Sequence, residues 1–225
     1  MPIIAITGTN TDVGKTIATA ALALALREQG VPVVCVKPVQ TGEVAGEGDI
    51  FTLEKLTGTR GIEFIRFPEP LAPNLSARRA GMETLTVSDI AARITEIQTD
   101  AGNDTVVLVE GAGGLLVRLN DAESFADLIT TLGCPLVVVT SLGLGSLNAA
   151  ELTVEAATNR NIPVLGLIGG SMPRDPDLAT RLNIEELPHV NKVPLLGVLP
   201  EGLGQAAAKD FTGLIDIKPL LDHGK

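Results

Sequence analysis

Near its amino terminus the chain reads Gly8-Thr9-Asn10-Thr11-Asp12-Val13-Gly14-Lys15-Thr16, a run of residue types that can hold a polyphosphate. Glycines let backbone N–H groups converge on an anion, a lysine can reach the β- and γ-phosphates, and the adjacent hydroxyl can ligate Mg2+. Five residues separate the two glycines, one more than in the common P-loop. An apolar run, Ile3–Thr7, precedes the loop and an Ala/Leu-rich run follows it, the setting that aims a helix N-terminus at phosphate. A tight turn that merely contains Gly-Lys-Thr is the plain alternative. On the phosphate reading, Asp12, Val13, Gly14, Lys15, Thr16 and Ile17 are candidate nucleotide-binding residues.

Magnesium takes carboxylate oxygens, and two acids stand where such ligands are expected. Glu110 ends Val-Val-Leu-Val-Glu110-Gly-Ala-Gly-Gly114, at the carboxyl edge of a candidate strand, and the glycines behind it allow backbone N–H groups to approach an oxyanion. Asp49 follows a Gly-rich stretch and opens a helical pattern, so it reads equally as a metal ligand or as a plain helix cap. Lys37, in Cys-Val-Lys37-Pro-Val-Gln-Thr41-Gly, closes a candidate strand and could face the same phosphate site. Cys35 and Cys134 sit in or beside apolar runs and read as small buried hydrophobes of a reducing compartment. His189 and His223 are expected on the surface in loop-like sequence, and no Ser-His-Asp or Cys-His arrangement is evident.

The elements that would carry these residues alternate between apolar strand-like runs and helical ones, as in a mostly parallel sheet with helices on both faces. Strands are expected at Ile3–Thr7, Val33–Lys37, Thr105–Val109, Leu136–Thr140, Val164–Ile168 and Leu195–Leu199. Helices are expected at Gly14–Gln29, stopped by Gly30, and at Asp49–Leu56, Val87–Gln98, Ser124–Leu132, Ser146–Asn159 and Asp177–Glu186. Ser88 is the expected N-cap of the third, and Arg60–Met82, with Pro68, Pro70 and Pro73, reads as a loop. No repeat or linker interrupts the pattern, so residues 1–225 read as one domain, a three-layer P-loop architecture.

Composition narrows the partners. The chain has 225 residues, 45% of them hydrophobic, with five Phe and no Tyr or Trp. Single-stranded nucleic acid is usually held on aromatic platforms and duplex DNA by excess positive charge, whereas this chain sets 17 basic against 27 acidic residues. The longest apolar stretch, Ile17 to Leu26, falls short of a membrane span, and the N-terminus has no basic signal-peptide region. Neither nucleic acid nor membrane is an expected partner, and the expected location is cytoplasmic.

The long Gly8–Thr16 loop, Lys37-Pro-Val with Thr41-Gly, and Val-Glu110-Gly-Ala-Gly-Gly together resemble dethiobiotin synthetase, and the likeness is collinear across nearly the whole chain. It includes the Pro-rich segment ending Leu71-Ala-Pro73 and the loop Leu142-Gly-Leu-Gly-Ser-Leu-Asn148. The resemblance implies an ATP- and Mg2+-dependent ligase that closes the ureido ring of dethiobiotin from 7,8-diaminononanoate and CO2. The route would run through a carbamate and a phosphorylated carbamate. By the same resemblance Lys37, Lys15 and Thr11 are the catalytic set, and Thr16, Asp49 and Glu110 hold Mg2+. Gly111, Ala112 and Gly113 line the nucleotide. Thr11, Thr41, Gly113 and Gly114 contact the diamine or its carbamate, and Ser146, Leu147 and Asn148 receive the far carboxylate, often across a homodimer interface. A simple Ser146 N-cap explains the same letters.

One segment departs from the family pattern. The family commonly places an Asn-Asp pair after the strand ending near Ile168 to read adenine, and this chain has Gly170-Ser171 there. With Pro200, Glu201 and Gly202 as the second base-side segment, relaxed base selectivity is the expectation. The main rival is a nucleotide-switch ATPase of the partitioning or septum-positioning type, which shares the fold. Such proteins carry an extra lysine early in the loop, where this chain has Thr9 and Asn10.

Overall fold

The computed structural model describes residues 3–223. Seven strands form one sheet: β1 (Ile3–Gly8), β2 (Val33–Thr41), β3 (Gly61–Phe67), β4 (Val106–Gly114), β5 (Leu136–Thr140), β6 (Val164–Met172) and β7 (Leu195–Pro200). Their order is β3-β2-β4-β1-β5-β6-β7, and every neighbouring pair is parallel. β1 lies in the middle, flanked by β4 and β5. The chain runs outward one way through β2 and β3 and later the other way through β5 to β7. That reversal opens a crevice at the carboxyl ends of the strands, where open α/β sheets bind ligands.

Both faces of the sheet are buried, which is why the central strands are continuous apolar runs rather than alternating ones. Ile4 and Ile6 of β1 pack on one face with α1 (Lys15–Glu28) and α2 (Asp49–Thr57), while Ala5 packs on the other. That second face is covered by α3 (Pro73–Ala80), α4 (Val87–Ala101), α5 (Phe125–Leu132), α6 (Ser146–Thr158) and α7 (Leu178–Asn191). The first is completed near the carboxyl terminus by Leu220 of α8 (Lys218–His223). Cys35 and Cys134 are buried, unpaired and in opposite cores. Burial raises both thiols, Cys134 to about 12, so they are inert packing groups as expected.

Several sequence expectations need correction. Arg60–Met82 is not a loop: it contains β3 and α3. β3 is an edge strand, and nearly all of it is half-buried, so it shows neither a buried run nor a clean alternation. α3 begins at Pro73, where a proline's fixed φ and missing N–H suit the first helical position. The cap of α4 is Thr86, whose hydroxyl accepts the Asp89 N–H at 3.1 Å, not Ser88. α7 continues to Asn191 with Pro188 inside it, so His189 lies in that helix and His223 in α8, both exposed as expected but neither in a loop.

β2 also runs past Lys37, through Pro38, to Thr41. The Cys35 N–H donates towards β3, to Arg60 O, so the two-residue period turns Pro38 N towards β4. Paired positions between β2 and β4 stop at Val36 and Val109, so no donor is required there. The two strands part just where Lys37 and Glu110 project, and the site is built in that gap.

Candidate active site

The loop after β1 turns sharply because two residues take left-handed backbone: Asp12 (φ 58°) and Gly14 (φ 91°). Gly14 precedes the first residue of α1, and no side chain caps that helix, which leaves its first N–H groups free for an anion. The loop is braced by β6. A Cβ placed on Gly170 would stand 1.6 Å from Val13 O, and one on Gly14 would stand 2.7 Å from Gly170 O. Backbone meets backbone here, and only glycine permits it.

Lys15 folds back over the loop, its ammonium donating to Asn10 O at 2.9 Å. Burial, and then the nearby Lys37 ammonium, push its pKa down. Lys37 is buried and spends all three ammonium hydrogens: on Asp49 Oδ2 at 2.6 Å, Glu110 Oε1 at 2.9 Å and Gly111 O at 2.9 Å. Burial opposes its charge, but Glu110 and Asp49 outweigh that and raise its pKa. Burial likewise opposes the Asp49 carboxylate, yet Lys37 beside it holds the group below the usual carboxylate range.

The Thr16 hydroxyl lies 2.6 Å from Asp49 Oδ1 and 3.2 Å from Glu110 Oε1. Three hard oxygen donors from β4, α1 and α2 therefore meet at one point, a set that suits Mg2+ and leaves its remaining positions to phosphate oxygens and water. Among the described residues no group of three or more His, Cys, Asp or Glu side chains converges, so the cation site rests on two acids and a hydroxyl.

A cleft of about 1300 Å³ runs over this cluster. Thr11, Asp12, Gly14, Lys15, Thr16, Ile17, Lys37, Thr41, Asp49, Glu110, Ala112, Gly113, Gly114 and Asn148 line it. Thr11 and Gly113 face one another across the loop, with Thr11 Oγ1 3.7 Å from where a Gly113 Cβ would be. Val13 and Gly111 are buried behind the lining, Gly111 with the Phe125 ring where its own Cβ would be. Ser171 sits past Gly170 at the end of β6, and Glu201 N donates to Met172 O, so the two base-side segments adjoin outside the cleft lining. Pro200 and Gly202 flank that contact.

Ser146 is not the cap of α6; Gly145 holds that position and Ser146 is the first helical residue. Its buried hydroxyl accepts from Asn183 Nδ2 at 3.1 Å, and Leu147 packs on the core, so Asn148 alone of the three reaches the cleft. Two neighbours of the site were missed from sequence. Gln40 caps α2 from outside, its Oε1 accepting the Asp49 N–H at 3.3 Å, and the buried Thr19 contacts Glu110. Thr19 stands one helical turn after Lys15, a spacing that could have placed it beside the loop.

The chain is similar to known proteins over almost its whole length. A family model described as an AAA domain matches residues 3–204. The ATP-dependent dethiobiotin synthetase of Corynebacterium diphtheriae is 58% identical over 96% of this chain and 96% of its own. That of Rhodococcus erythropolis is 45% identical over 94% and 93%. Among solved structures, the MinC:MinD cell division protein complex of Aquifex aeolicus aligns with a TM-score of 0.57 at 17% identity, covering 100% of this chain and 90% of that one. A ParA family ATPase from Chlorobium tepidum aligns at 0.55 and 15%, covering 97% and 93%. The structural likenesses establish a P-loop fold. No described helix is long and apolar enough to cross a membrane.

Proposed function

The chain belongs to the ATP-dependent dethiobiotin synthetases, and from that premise we propose how its residues close the ureido ring. The supporting observation is the meeting of Lys37, Asp49, Glu110 and Thr16 at the uncapped start of α1, inside a cleft large enough for two substrates. One amine of 7,8-diaminononanoate takes up CO2 and becomes a carbamate beside Thr11, Thr41 and the Gly113–Gly114 backbone. Lys15, the α1 N–H groups and the loop backbone hold the ATP phosphates, with Ala112 and Ile17 beside the nucleotide. Thr16, Asp49 and Glu110 would hold Mg2+, which would supply charge neutralisation for the ATP phosphates. The carbamate oxygen attacks the γ-phosphorus and ADP leaves; the second amine then attacks the carbonyl carbon of the mixed anhydride, loses a proton, closes the ring and expels phosphate. Lys37, already amid the acids, turns towards the carbamate and the transferring phosphoryl group. Positioning and fixed charge do the work, since phosphoryl transfer asks little covalent chemistry of a side chain.

The far carboxylate of the diamine is assigned to the first turn of α6 around Asn148, offered across a homodimer. Gly170, Ser171 and Pro200–Gly202 are assigned to the base, where the absence of a reading amide implies relaxed selectivity. Rates with ATP, CTP, GTP and UTP test the last point: a preference for ATP of roughly a hundredfold would refute it. The reaction itself is tested by phosphate release with Mg-ATP and bicarbonate, with and without the diamine. Release that requires the diamine is the expected result. Diamine-independent release would refute the synthetase mechanism and favour a nucleotide switch.

A further inference from the structure

We propose that Thr19 is the positioning residue that fixes the Glu110 carboxylate for metal binding, an inference that rests on Glu110 being a magnesium ligand. Thr19 is fully buried at 0% exposure, on the face of α1 that meets β4. Its Oγ1 lies 2.8 Å from Glu110 Oε2 and 3.0 Å from Lys15 O. A threonine hydroxyl has one hydrogen to give. Lys15 O already accepts the helical N–H four residues on, and a carboxylate is the stronger acceptor, so the hydrogen goes to Glu110. The nearby Lys15 carbonyl and the branched Cβ hold the hydroxyl in one rotamer.

Glu110 uses its two oxygens differently. Oε1 faces Lys37 and Thr16, at 2.9 and 3.2 Å, on the cleft side. Oε2 points inward, and among the described residues Thr19 is its one recorded donor. The residue is only 2% exposed, so water does not readily replace that donor. Without it, Oε2 has an unsatisfied acceptor and the carboxylate is held through Oε1 alone, by Lys37 and Thr16, about which it can pivot. Thr19 also belongs to the helix that carries Lys15 and Thr16. One hydrogen bond thus locks the acid of β4 to the phosphate-binding end of α1.

The test is Mn2+ affinity of the full chain with a non-hydrolysable ATP analogue, read by electron paramagnetic resonance, beside the KM for Mg2+ and kcat. Thr19→Val, which keeps the volume and removes the donor, is expected to weaken Mn2+ binding by about 10- to 100-fold, the usual effect of losing an outer-shell partner. Thr19→Ser is expected to restore affinity to within a few-fold. Unchanged Mn2+ affinity in a folded Thr19→Val protein would overturn the proposal. If valine is not tolerated, Thr19→Ser and Thr19→Ala differ only by the hydroxyl, and equal affinities in that pair would overturn it too. Glu110→Gln separates the two levels of the argument. Weakened binding there with normal binding in Thr19→Val would sink the Thr19 role alone; normal binding in Glu110→Gln would remove the ligand on which the role depends.

Discussion

Replacing Gly170 with alanine adds a single methyl group at the point where β6 touches the phosphate-binding loop. Gly170 has no positive φ, so alanine suits its backbone and the whole penalty is steric. The new carbon would sit 1.6 Å from Val13 O, where ordinary contact begins at 3.4 Å, so loop and strand must part by roughly 1.8 Å. Both partners are backbone, and neither can rotate away. Overpacking of this kind costs about 1–3 kcal/mol. At roughly 2–4 °C per kcal/mol for a chain this long, Tm should fall by several degrees. The larger effect falls on function, because the displaced segment carries Gly14 and the first N–H groups of α1. A misplacement of about 1 Å in a positioning element can cost on the order of 10²-fold in rate. Thermal unfolding with and without nucleotide, together with kcat/KM for ATP, measures both. A Gly170→Ala protein with normal Tm and normal kcat/KM would refute the claim that β6 braces the loop.

Lys37→Ala leaves two carboxylates without the cation they share; turnover should fall on the order of 10²-fold or more with the circular dichroism spectrum unchanged. Near-normal turnover would remove Lys37 from the mechanism. Gln40→Ala deletes the acceptor at the start of α2 and should lower the urea-unfolding stability by about 1 kcal/mol, as loss of a helix cap does. An unmoved urea midpoint would show that α2 starts without help from β2. Lys15, lowered by burial and Lys37, is partly neutral at alkaline pH, and a bound triphosphate restores its charge. Nucleotide binding should therefore take up protons, and affinity should drop as pH climbs through the lowered pKa, below the ordinary value of about 10.4. Calorimetry in two buffers of different ionisation enthalpy reads the sign, and proton release would contradict it.

The phosphate loop, Lys37 and Glu110 were legible because each pairs an unusual residue type with the end of an apolar run, whereas Asp49, after a Gly-rich stretch, read as a metal ligand or a helix cap alike. The sheet's centre was legible for a related reason: strands buried on both faces are uninterrupted hydrophobic stretches. β3 and α3 were not. Three prolines gave the segment the composition of a loop, although Pro73 starts α3 and the half-buried edge strand had no period to show. Ser88 is the expected cap of α4, yet Thr86 takes that position, because Asp89 three residues on gives it an N–H to accept and a carboxylate to bond. The roles of Thr19, Gln40 and Ser146 depend on contacts with Glu110, Asp49 and Asn183, far along the chain or on other elements, which no local pattern encodes.

The ion pairs around Lys37 bear on how fast a nucleotide is caught. Lys15 and Lys37 are the two cations of the cleft lining, and Asp12, Asp49 and Glu110 stand among them in a chain of net charge −10. An incoming triphosphate meets no attractive field at distances beyond the Debye length, about 8 Å at physiological salt. Association is then unsteered and slower than the electrostatically guided limit, and added salt speeds the encounter by screening the repulsion of the acidic body. A triphosphate that brings its own divalent counterion is repelled less on approach, and on the proposed assignment that cation would meet Asp49 and Glu110 and weaken their hold on Lys37.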